Sequence, residues 1–134
     1  MRLWPLEIID QLPRQQLLGQ HRECCALRGK GWGKKHATVD YVFKHPYYWL
    51  WMYHLHVMDE MRKRGYNFDR IWFDVNYRGK RIGYDNSYFA SLNMEDRLAI
   101  RNRIYPEHDE KYLQECIENL ARKGVSVERK GNAS

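Results

Sequence analysis

The chain has 134 residues, with 23 Lys and Arg against 17 Asp and Glu, a formal net charge of +6. That length fits one domain able to bury a core without staples, and the basic excess favours a polyanion as partner, nucleic acid first, because phosphate neutralisation supplies most sequence-independent affinity. The longest apolar run, "YYWLWMY", is too short to span a bilayer, and "MRLWPLEIID" carries Glu7 and Asp10 where a signal peptide needs an unbroken apolar stretch.

In chain order, "LPRQQLLGQHRECCAL" predicts a helix from about Pro13 to Leu27. At 100° per residue, Leu17, Leu18, His21, Cys24 and Cys25 share one side, while Gln16, Gly19, Gln20 and Glu23 lie opposite, on what geometry alone reads as a solvent face. A glycine-punctuated basic stretch follows, "RGKGWGKKH". "HPYYWLWMYHLHVMDEMRKRG" predicts a second helix with Pro46 in its first turn, Arg62, Lys63 and Arg64 in its last and Gly65 just beyond. It is apolar nearly all round, so it is expected to be central and its aromatic residues mostly core. From Tyr66 to Tyr105 the pattern weakens. "NFDRIWFDVNYRGKRIGYDNSYF" reads as a long loop suited to contacting DNA, and Asn93 as the cap of a short helix to about Arg103. "YPEHDEKYLQECIENLARKG" predicts the last helix, opened by Pro106, striped by Leu113, Cys116, Ile117 and Leu120, and ended by Gly124.

The expected architecture is therefore all-α: one domain of three main helices over residues 1–124, with 125–134 as a flexible tail. Cys24, Cys25 and Cys116 make an odd set with a vicinal pair, which suits reduced thiols in the cytoplasm. His54 and His56 fall on different helix faces and the cysteines lack the spacing of a zinc site, so no metal site is expected. Neither vicinal cysteine has an identifiable activating partner for nucleophilic work.

Glu23 stands among Arg22, Arg28, Lys30, Lys34 and Lys35, either in a charge-balanced solvated patch or as a reagent whose neighbours hold its substrate. Here "MRLW", "QQLLGQHRE", "GKKH", "KRGYN" and "YPEH", in that order, resemble the pyrimidine-dimer DNA glycosylases, small all-helical repair proteins whose founding member is a phage endonuclease. The resemblance implies an N-glycosylase and abasic-site lyase acting on damaged or abasic double-stranded DNA. In that family the first residue's α-amine attacks the deoxyribose anomeric carbon and forms a Schiff base. An α-amine, with an ordinary pKa of about 7.7–8, is partly neutral near pH 7, unlike a lysine. Arg2 is too bulky for efficient removal of the initiator, so the nucleophile would be Met1.

The family's catalytic carboxylate falls on Glu23, where it stabilises positive charge developing on the sugar and assists later proton transfers. Arg22 matches a phosphate-gripping arginine, and Lys35 and His36 a Lys-His pair suited to backbone contact. Arg28, Lys30 and Lys34 complete the expected DNA-binding set only as a basic loop. No cofactor is needed, and a cytoplasmic, DNA-associated monomer is expected. The phage type's aromatic tail is missing, and its basic positions on the last helix fall on Ile117 and Ala121. Abasic-site lyase activity is thus expected to be easier to detect than dimer glycosylase activity. The alternatives are a non-catalytic nucleic-acid-binding protein of the same fold, and a structured interaction protein whose charge serves solubility.

Overall fold

The computed structural model describes residues 2–29, 39–87 and 104–129. Three α-helices carry the fold: α1, Arg14–Gly29; α2, Tyr47–Lys63; and α3, Glu110–Arg122. A short 3₁₀ turn at Leu6–Gln11 precedes α1, two more at Asp40–Lys44 and Arg70–Phe73 lie between the helices, and no strand forms among the described residues. Tyr77 and Tyr84 make one isolated antiparallel bridge. The all-α expectation holds. The short helix expected after Asn93 lies outside the described residues.

Helix α2 is central, as its all-round apolar pattern requires. Trp49, Leu50, Tyr53, Val57 and Met61 are buried along it in one core with Leu17, Cys24 and Leu27 of α1 and Leu113, Cys116 and Leu120 of α3. Gly65 and Gly124 follow α2 and α3 with φ of 77° and 82°, the left-handed turn that a glycine tolerates without a Cβ clash. Helix α3 starts later than Pro106. The His108 amide donates to Tyr105 O at 3.0 Å in a preceding turn, and the Asp109 carboxylate accepts from Tyr112 N at 2.9 Å, so the true cap is Asp109.

Two faces depart from the helical wheel. Gln20 and Glu23, expected on solvent, are 1% and 8% exposed. The wheel sees only the helix, and Gln20 is covered by residues 2–4, which it hydrogen-bonds. Residues 125–129, expected as the start of a tail, pack back on the domain: Val127 is buried, and Gln11 exchanges hydrogen bonds with the Glu128 backbone, both at 2.7 Å.

Arg28, in the last turn of α1, is fully buried. Its guanidinium donates to Tyr47 Oη (2.9 Å), His54 Nδ1 (2.9 Å) and the carbonyls of Trp72 (2.7 Å), Asp74 (2.8 Å) and Tyr77 (2.8 Å). One cation thus ties α1 to α2 and to the irregular 72–77 segment, which has little regular backbone pairing of its own. Arg78 extends the node, donating through Nε to Arg28 O at 2.5 Å and stacking 3.7 Å from the Tyr47 ring centroid.

Arg28→Met should therefore strand several buried acceptors at roughly 1–3 kcal/mol each. Urea unfolding is expected to show a loss of about 3 kcal/mol or more, whereas an arginine that only touched DNA would leave stability unchanged.

Candidate DNA-binding cleft

The start of the chain is held by side chains from all three helices. Gln20 of α1 donates through Nε2 to Arg2 O at 3.0 Å and accepts the Trp4 amide on Oε1 at 2.6 Å. The Tyr53 hydroxyl of α2 lies 2.5 Å from Trp4 O and 2.6 Å from Gln20 Oε1, and Tyr112 of α3 donates to Leu3 O at 2.7 Å. Burial raises the Tyr53 pKa well above its ordinary value, so the hydroxyl stays a donor.

Beside this segment opens a cleft of about 580 Å³, walled by Arg2, Trp4, Gln16, Gly19, Arg22 and Lys123, with three cations and no carboxylate in its lining. The Arg2 guanidinium and Lys123 ammonium each lie 5.7 Å from the Trp4 ring centroid, so one buried indole fixes two cations at the cleft wall. Arg22 is exposed, and its guanidinium runs back over Gly19, where an added Cβ would sit 3.7 Å away. Asn119 also lines the cleft, and its buried Oδ1 has no hydrogen-bond partner among the described residues. By contrast, the hollow at Glu7, Asp10, Asp59 and Glu60 is acidic and would repel a polyanion.

Of the residues singled out in the sequence, Arg22 and Glu23 lie on α1 three residues beyond Gly19 and Gln20; Arg22 lines the cleft, whereas Glu23 is buried beside it and is not part of its lining. Met1, Lys30, Lys34, Lys35 and His36 lie outside the described residues. Arg28 leaves the DNA-facing set, because its burial and five protein acceptors commit it to the fold. Sequence reasoning missed Arg2, Trp4, Asn119 and Lys123. The first two lie within three residues of Met1, a usable signal; the last two depend on how α3 packs, which no single-helix pattern reveals.

Sequence reasoning also did not pair His21 with His54. His21 Nδ1 and His54 Nε2 are 2.8 Å apart, with Cys25 Sγ 3.8 Å from His21 Nε2. These three groups sit close enough to suggest a metal site, but the hydrogen bonding opposes it. Arg28 can only donate, so His54 Nδ1 must accept and Nε2 carries the proton that goes to His21. A metal-bound imidazole needs the reverse, an N–H on its far nitrogen aimed at an acceptor. Burial pushes the Cys25 thiol up to about 12, away from thiolate character.

A family model of pyrimidine dimer DNA glycosylases matches residues 1–74, over half of the chain, and the protein belongs to that family. The match takes in α1, α2 and the Arg70–Phe73 turn and stops before α3. No curated protein and no solved structure matches the chain. No helix among the described residues is long and apolar enough to cross a membrane.

Burial and the neighbouring Arg22 and Arg28 lower His21 to about 4 from 6.5, and burial and Arg28 lower His54 as well. Between those values the unfolded chain binds more protons than the folded one, so this contribution is intact above about pH 6.5 and is lost as pH falls toward 4. The thermal midpoint should fall across that window, and His21→Gln should make the fall shallower.

Proposed function

We propose that this protein is a DNA repair N-glycosylase with abasic-site lyase activity, using the Met1 α-amine as nucleophile and Glu23 as catalytic carboxylate. Supporting this reading is one arrangement: the chain's start is tied to α1 one turn before Glu23, at the wall of a cleft lined by three cations and no carboxylate. Such a cleft suits a phosphodiester backbone, and the substrate class is damaged double-stranded DNA, with dimer-containing and abasic duplexes as the forms to test.

In this mechanism the neutral amine's lone pair attacks C1′ as the C1′–N bond to the base breaks, and the base leaves with that electron pair and gains a proton. The ammonium so formed loses a proton, and the sugar ring then opens, O4′ taking a proton while the restored nitrogen lone pair forms the C1′ iminium. Removal of a C2′ proton expels the 3′ phosphate by β-elimination. Glu23 stabilises the cationic sugar and serves the proton transfers, a role that needs a carboxylate held against the sugar rather than in bulk water. Arg2, Arg22 and Lys123 hold the phosphates.

Borohydride should trap a covalent complex with an abasic duplex, and acetylating the α-amine should prevent it. Glu23→Gln should nearly abolish strand cleavage while keeping or strengthening DNA binding, because it preserves size and removes a negative charge near phosphate. Binding without trapping or cleavage would instead establish the non-catalytic reading. Arg22→Ala and Lys123→Ala should each reduce the slope of log affinity against log salt by about one, measured by fluorescence anisotropy.

A further inference from the structure

We propose that Gln20 and Tyr53 are positioning residues that set the direction in which the Met1 amine leaves the fold, an inference that rests on the function proposed above. The side-chain amide of Gln20 donates to Arg2 O and accepts from Trp4 N, so it pairs with this segment as a neighbouring strand's backbone would. The Tyr53 hydroxyl reaches both Trp4 O and Gln20 Oε1 and holds the amide in that orientation, its single proton serving one acceptor at a time.

Anchoring alone does not require this arrangement. Leu3 and Trp4 are 0% and 6% exposed, so burial of their side chains already fixes the segment to the core. A hydrophobic residue in place of Gln20 would fill the same space but strand the buried Trp4 amide, so the Gln20 amide serves stability as well as direction. What the amide adds is a direct hold on Arg2 O, one residue upstream of the two buried side chains. A single planar peptide and the few torsions on either side of it separate that carbonyl from the α-nitrogen. Because Gln20 and Glu23 are neighbours one turn apart on α1, the same helix positions the amine's approach and the carboxylate. Reacting groups displaced by about 1 Å lose on the order of 100-fold in rate, so a clamp of this kind acts on the chemical step.

The test compares Gln20→Met and Tyr53→Phe with the parent protein and with Val57→Ala, which loosens the core of α2 but removes none of the hydrogen bonds to residues 2–4. Two quantities are read: the single-turnover rate of borohydride trapping on an abasic duplex, and affinity for a duplex carrying a reduced, unreactive abasic site. Expected is a fall of roughly 10- to 100-fold in trapping rate for both clamp variants, with affinity within about threefold of the parent, and little change for Val57→Ala. If Gln20→Met does not fold, Tyr53→Phe, which removes only a hydroxyl, carries the comparison. Clamp variants that trap at the parent rate, or no more slowly than Val57→Ala, would overturn the positioning role and leave the proposed function standing. A parent that binds DNA but traps nothing would overturn both.

Discussion

The arrangement on which the site depends is the capture of residues 2–4 by three helices. A free chain start has no lattice of backbone bonds to rest on, and its first polar groups would ordinarily face water. Here Gln20, Tyr53 and Tyr112 bind three successive carbonyls, while the Leu3 and Trp4 side chains enter the core. The consequence reaches beyond anchoring, because Arg2 and Trp4 thereby become wall residues of the basic cleft, and Trp4 in turn holds Arg2 and Lys123 beside its ring.

A second buried node, Arg28, does for the irregular half of the fold what Gln20 does for the chain's start. Among the described residues its hydrogen bonds go to neutral acceptors, so its worth lies in satisfying several carbonyls that a loop leaves open. The same guanidinium sets the protonation of His54 and, through it, of His21. Two arginines six residues apart on one helix thus have opposite duties: Arg22 remains exposed at the cleft, and Arg28 is spent inside the protein.

The helices were largely legible because their signals are local: apolar spacing, Pro46 before α2, and Gly65 and Gly124 after α2 and α3. Misjudgements arose wherever a tertiary neighbour decided the outcome. Gln20 looks solvated on a wheel that cannot show residues 2–4 folding over α1, and Arg28 looks like part of a basic loop until the 72–77 carbonyls close around it. Of the candidate site, Glu23 and Arg22 were readable from their motif and its family resemblance. Lys123 and Asn119 were not, because α3 brings them to the cleft from a part of the chain distant in sequence, beyond the segment that carries the family match.

The central claim is that chemistry starts at the α-amine of Met1, and the most direct measurement is peptide mass spectrometry of the borohydride-reduced complex with an abasic duplex. The account predicts that the sugar adduct maps to the N-terminal peptide, on the α-nitrogen. An adduct on Lys30, Lys34, Lys35 or Lys123 would contradict it, since a lysine nucleophile has no need of a chain start held by Gln20, Tyr53 and Tyr112.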